Sequence, residues 1–289
     1  MSEVIPLFPL STPLFPGIVL PLEIFEDRYR RLVADLLALP AGSPRRSFGV
    51  VAIRQGWEVE SVSPAAALYD VGCTARVQGV RAKPDGGYRL VTVGADRFRL
   101  LDVLVGNEEG GDPPYLRAEV EWLGEEETAQ EAAAGRDGLV EPAGASLGGP
   151  VDEVAAAVAR GSMDLLVGGV RDLFSRYVAE VAALRLGWDS DDQDEPGRND
   201  PADDDADRVG ARTTELLTAV SGDPAALSWL VASAALLTTE DRQALLAVSA
   251  TRRRLAAESR LLRRELTLLK TLGAVPVPLR EFATPMTVN

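Results

Sequence analysis

The chain has no histidine, one cysteine and two lysines in 289 residues. Each shortage closes a class of chemistry. Without histidine there is no Ser-His-Asp or Cys-His catalysis, and the usual zinc sites are excluded. Cys73, being alone, forms neither an intrachain disulfide nor a Cys-x-x-Cys metal or redox pair. A phosphate-binding loop of the Gly-Lys-Ser/Thr kind needs a lysine that reaches the β- and γ-phosphates. Lys83 sits in Ala-Lys-Pro and Lys270 in Leu-Lys-Thr, so neither serves. Serine, aspartate and glutamate are plentiful, but no spacing singles out a catalytic carboxylate pair. The expectation is a protein that is not an enzyme, with no catalytic residue, no cofactor and no metal.

Long apolar runs are also missing. The longest helix-like apolar stretch, Ala225 to Leu237, is too short to span a bilayer. An export signal is not expected, because Glu3 stands where positive charge belongs and Pro6, Pro9, Pro13, Pro16 and Pro21 break an apolar helix. A cytoplasmic, soluble protein is expected. Its net charge of −14 is uneven. Residues 1–123 carry 16 acids and 13 bases, residues 124–208 carry 21 and 7, and residues 209–289 carry 7 and 10. The excess therefore sits in the middle third. An acidic surface repels phosphate backbones, which disfavours nucleic acid as a partner.

What is present is a hydrophobic content of 46%, enough for a real core. Residues 1–123 read as a β-rich lobe. Leu116, Ala118, Val120 and Trp122 alternate with Tyr115, Arg117, Glu119 and Glu121, so one set faces a core and the other water. Pro84-Asp85-Gly86-Gly87 is a hairpin turn between strands at Thr74–Lys83 and Tyr88–Val93. Ser47–Ile53 and Arg97–Val105 are further strands, rich in branched and aromatic residues. One helix interrupts them, from Glu26-Asp27 to about Leu39, with Tyr29, Leu32, Val33, Leu36 and Leu37 on one stripe.

Residues 124–150, rich in Ala, Gly and Glu, read as a linker. Residues 151–272 read as a helical lobe. Val154, Val158, Leu165, Leu166, Val170, Phe174, Val178, Val181 and Leu184 take helical spacing, and Gly161 and Gly168-Gly169 are expected to split that span into two helices. Residues 188–208 hold ten acids and almost no apolar side chains, so an acidic disordered loop is expected there. Helical pattern returns at Val209–Val220 and at Pro224–Leu237, the latter with Asp223 as N-cap and Pro224 at the first position. A long final helix begins after Thr238 or Thr239 and stops at Gly273. It carries Val248, Leu255, Leu262 and Leu269 at heptad spacing, with Leu266 thickening the seam. Residues 273–289 are a proline-rich tail.

Four blocks carry a family resemblance across roughly residues 3–272. They are PLFPLSTPLFPGIVLPLEIFEDRYRRLV, then SFGVVAI, then VGCTARVQGV with YRLVTVGADRFRL and YLRAEVEWL, and last SWLVASAALLTTEDRQALLAVSATRRRLAAESRLLRRELTLL. In this order they resemble the N-terminal, substrate-binding domain of Lon proteases. The resemblance implies an α+β fold: an N-terminal β-rich, PUA-like lobe followed by a C-terminal α-helical lobe. It implies a stand-alone module without the ATPase and peptidase domains. The resemblance further implies that the module binds unfolded or exposed hydrophobic protein segments, as an adaptor to a separate protease or chaperone. The alternative is a regulatory or structural protein with one dedicated folded partner; RNA binding through the PUA-like lobe is weaker. Residues 124–150 and 188–208 depart from the family pattern and look like insertions.

Phe8, Phe15, Phe25, Tyr29, Phe48 and Phe98 either line a peptide groove or fill the core, and aromatic dominance in small cores favours the second reading. Asp27, Arg28 and Arg31 share the outer face of the first helix. They are either a solvated face with an i,i+4 ion pair or the polar rim of a peptide-binding groove. Arg252, Arg253, Arg254, Arg260, Arg263 and Arg264 make the final helix basic, and a solvated flank is expected. Cys73, inside a strand pattern, is expected to be a buried small hydrophobe.

Overall fold

The computed structural model describes residues 2–54, 66–106, 111–125, 150–191, 215–220 and 222–273. Apart from their edges, the expected linker, acidic loop and tail lie outside these residues. The strands come first: β1 (Glu3–Leu10), β2 (Val19–Ile24), β3 (Ser47–Ala52), β4 (Val71–Ala82), β5 (Tyr88–Leu104) and β6 (Arg117–Leu123), with helix α1 (Asp27–Leu37) between β2 and β3. Helices α2 (Pro150–Asp191), α3 (Pro224–Ala234), α4 (Thr239–Ala247) and α5 (Thr251–Leu272) follow. This is the α+β order expected from the sequence.

The strands lie in the order β2-β5-β4-β3-β1-β6, and β5 also pairs with β6, which closes a barrel. The 17-residue β5 makes closure possible. Its first part, Tyr88–Val93, pairs with β2; its second, Arg97–Leu104, pairs with β6; β4 runs along its other edge. The two strands read there from sequence are thus one. Gly94 at their join is not a break: a Cβ there would stand 2.0 Å from the Phe15 carbonyl oxygen, so the position admits the crossing chain. Among the described residues only β1 and β3 pair in parallel.

Alternation works as expected on Ala118 and Val120, which are buried. It fails at Trp122, which is exposed, and at Tyr115, which precedes the strand and is also buried, its hydroxyl donating to Asp35 Oδ2 at 2.9 Å. In α1, Tyr29, Leu32, Val33 and Leu36 face the core. Arg46 closes the end of that helix by donating to the carbonyls of Leu37 (3.0 Å) and Leu39 (2.9 Å). Phe8, Phe15, Tyr29, Phe48 and Phe98 are core, whereas Phe25 is exposed. Cys73 is fully buried, and burial pushes its thiol up to about 12.

The helical part corrects three expectations. First, α2 is continuous through Gly161, Gly168 and Gly169. Each interior glycine costs about 1 kcal/mol against alanine, and the buried stripe Met163, Val167, Val170, Leu173, Phe174 and Tyr177 outweighs it. Leu165 is off that stripe and exposed. Second, the final helix is two helices. Thr238 caps α4, accepting from the Asp241 N–H at 3.1 Å, but the helix stops at Ala247 and α5 begins at Thr251. Val248, the first heptad position, lies in the break; Leu255, Leu262, Leu266 and Leu269 are buried as the pattern requires. Asp223 caps α3 by accepting from Ala225 and Ala226 N–H (2.9 and 3.0 Å), and Gly273 ends α5 in the left-handed region at φ 59°.

Third, Arg254 is not on a solvated flank but fully buried. Its guanidinium carbon lies 3.3 Å from the centre of the Trp229 ring. It donates to the carbonyl of Val248 at 2.7 Å and to Glu125 at 3.1 Å. Buried Arg97 on β5 joins the same cluster, donating to the carbonyls of Leu246 (2.8 Å), Val248 (3.1 Å) and Gly124 (2.9 Å), with Glu125 at 2.8 Å. Two arginines thus satisfy the backbone carbonyls released where the helix breaks. Trp229, Ala232, Leu245 and Leu246 from the helices also sit in the barrel's hydrophobic cluster. Barrel and helices therefore share a core.

Candidate protein-binding face

Strand β2 is at the sheet edge, where Pro21 costs no ladder bond. Its even positions, Leu20, Leu22 and Ile24, pack on the barrel core; its odd positions, Val19, Pro21 and Glu23, face outward. Register extends this outer face across three strands. Val19 lies opposite Val93 and then Arg76; Pro21 opposite Val91 and then Gly79; Glu23 opposite Arg89 and then Arg81. Directly opposed residues on antiparallel strands share a face, so two apolar rows lie beside one charged row. Val19 is 58% and Val91 43% exposed, and Phe25, one alternation step beyond the strand, is 68% exposed. A Cβ on Gly79 would meet nothing within 4 Å, which leaves the middle of the face open.

The charged row is held together by Glu23, which lies 2.6 Å from Arg89 and 3.4 Å from Lys83. Hydrogen bonds from Arg89 and then Lys83 hold its carboxyl below the usual range. The neighbouring Asp85 is lowered chiefly by the Gly87 N–H it accepts, at 2.9 Å.

The three residues singled out from sequence are all at the surface of α1, but none pairs with another. Asp27 is 3.3 Å from Arg30, Arg28 is 2.7 Å from Glu26, and Arg31 is 2.9 Å from Asp35. The anticipated i,i+4 pair exists at Arg31 and Asp35 rather than at Asp27 and Arg31. Arg28 also stacks on Tyr29, 4.6 Å from the ring centre. Arg31 turns instead to a polar cleft of about 580 Å³ that Asp35, Asp112, Pro113, Pro114 and Tyr115 line. There Tyr115 is pushed up to about 12, by burial first and then by its hydrogen bond to Asp35. A smaller, more apolar groove of about 150 Å³ lies between Leu10, Leu14, Phe15, Leu20, Ser233 and Arg242, at the meeting of barrel and helices. Residue-by-residue weighing missed the β2–β5–β4 face. Its signal was the odd-position row Val19-x-Pro-x-Glu-x-Phe25, a period of two in a segment read mainly for its prolines.

Among the described residues no group of three or more Cys, Asp or Glu side chains gathers as metal ligands, and no helix is long and apolar enough to cross a membrane.

The family model of the ATP-dependent protease La (LON) substrate-binding domain matches residues 4–264. The Lon protease of Anaeromyxobacter dehalogenans is 34% identical over 123 residues, which are 42% of this chain and 13% of that protein. Lon protease 4 of Sorangium cellulosum is 38% identical over 157 residues, 52% of this chain and 18% of that protein. The chain thus spans a small fraction of the length of these relatives. Among solved structures, a Lon N-terminal domain protein from Xanthomonas campestris aligns with a TM-score of 0.48 at 21% identity, over 90% of this chain and 98% of that one. The family match, running from the first strand well into the last helix, shows that this chain belongs to the Lon substrate-binding domain family.

Proposed function

We propose that this protein is a non-catalytic, cytoplasmic protein-binding module. It holds exposed apolar segments of unfolded or partly folded proteins, and it serves as an adaptor that presents them to a separate protease or chaperone. The observation that carries this reading is the outer β2–β5–β4 face, where exposed Val19, Pro21 and Val91 and half-buried Val93 form adjacent apolar rows on a family member whose namesake role is substrate binding. Phe25 extends the apolar surface toward α1. Asp27, Arg28 and Arg31 supply the polar rim that such surfaces carry.

The test is capture of a reduced, carboxymethylated model protein by the intact chain, followed by fluorescence anisotropy. The double variant Val19→Ser/Val91→Ser should keep its melting curve, since exposed substitutions shift stability by no more than about 0.5 kcal/mol, and should bind at least about tenfold more weakly. Reversing charge at Arg28 and Arg31 should weaken capture less, by an amount that shrinks at high salt. Undiminished capture by the serine variant would remove the face from the reading. Binding of one native protein and of no unfolded chain would establish a dedicated partner instead.

A further inference from the structure

The β2–β5–β4 face has an asymmetry that apolar capture alone does not require: its uncommitted charges are all positive. Arg81 lies directly across from Arg89, and like charges opposed on neighbouring strands repel. Glu23 answers Arg89 and Lys83, at 2.6 and 3.4 Å. Among the described residues neither Arg81 nor Arg76 has a carboxylate within ion-pair distance, although both are exposed and the chain carries 44 acids. Arg76 and Arg81 bracket the apolar rows: Arg76 lies beside Val93 and Val19, Arg81 beside Arg89 and Glu23, with Gly79, Val91 and Pro21 between them.

Building on the reading of this face as a protein-binding surface, we propose that it selects extended polypeptide segments whose apolar side chains are flanked by carboxylates. Arg76 and Arg81 are the residues that read those carboxylates. They are five positions apart on one strand, about 16 Å at strand rise, less the shortening of the bulge near Val77. A bound segment in extended form meets both with acids four residues apart, which places them on one face, and leaves its intervening side chains over Val91, Val93 and open Gly79. The occupant is therefore an acidic-flanked apolar peptide. Exposed pairs change an equilibrium by up to about fivefold each, so two account for a preference of about tenfold.

Two fluorescein-labelled twelve-residue peptides with the same Val-Leu-Phe-Val centre, one flanked by Asp pairs and one by Lys pairs, test this on the intact chain. The Asp-flanked peptide should bind about tenfold tighter at low salt, and the gap should narrow at high salt. Arg76→Glu/Arg81→Glu should invert the preference without lowering the melting temperature, since Glu at position 81 would face Arg89. Equal affinity for the two peptides, or an unchanged preference in that variant, overturns the charge selection. The neutral variant Val19→Ser/Val91→Ser separates this from the underlying reading. It should weaken both peptides alike, and failure to weaken either overturns the face itself.

Discussion

Glu258 is the most confined acid among the described side chains, 1% exposed, and only one of its oxygens is engaged. Ser228 donates to Oε1 at 3.0 Å, while Oε2 has no hydrogen-bond partner among the described residues. Burial raises its carboxyl well above the usual 4.5, against the opposing pull of Ser228 and Arg254. The folded chain then holds a proton that the unfolded chain releases above 4.5. By linkage, the contribution of this residue to stability is fullest below that value and is lost as pH rises through the folded pKa. Glu258→Gln keeps an acceptor for Ser228 and does not ionise. Its melting temperature relative to the wild type should therefore rise as pH climbs above 4.5. A difference that stays constant above that value would show that Glu258 titrates normally.

Among elements, α2 and the α4–α5 break show where local signals were outweighed. Glycine in a helix interior is tolerated when the opposite face is well buried, and beside Val167 and Val170 it is. A Cβ at Gly168 or Gly169 would meet nothing within 4 Å. Gly168→Ala and Gly169→Ala should each therefore stabilise the protein by about 0.5–1 kcal/mol, through entropy lost from the unfolded chain. Urea melts measure this directly, and destabilisation by either alanine would mean that the glycines serve a close contact. At the break the situation is reversed. Heptad spacing runs straight through Val248, yet Ala250 and Val248 are extended there because Arg97 and Arg254 take the freed carbonyls.

For the whole molecule, the decisive contact is between barrel and helices. Trp229 and Leu246 lie in the barrel's core cluster, Gln243 donates to the Val71 carbonyl at 2.7 Å, and Arg97 reaches from β5 to the α4–α5 break. Burial pulls the Arg97 and Arg254 guanidiniums below their usual range, so both depend on these partners and on Glu125 for compensation. The described parts should unfold together: the calorimetric and van't Hoff enthalpies should agree. Arg254→Ala should cost about 2–4 kcal/mol, because it removes a buried, hydrogen-bonded side chain, leaves the Val248 carbonyl with Arg97 alone and uncovers Trp229. Two separated transitions in the wild type would show that the shared core does not couple the two parts.

The sequence by itself determined that a strand-rich part precedes a helical one, the core stripe of α1, the caps at Asp223 and Thr238, and the stop at Gly273. All of these are set by residues within a few positions of one another, where period and capping chemistry act. It also held, unread, the odd-position row of β2 and the inward places of Arg254 and Glu258 beside Leu255 and Leu262. Charge marked Arg254 as surface, because a buried ion is affordable only with partners that lie far along the chain. Tertiary structure decided what those partners were: Glu125, Ser228 and Val248 for Arg254, and two helix-break carbonyls for Arg97. It alone joined the two halves of β5 around the Phe15 crossing and set Arg76 and Arg81 beside the apolar rows of β2 and β5. Register between strands distant in sequence fixes such neighbours, and no local pattern encodes it.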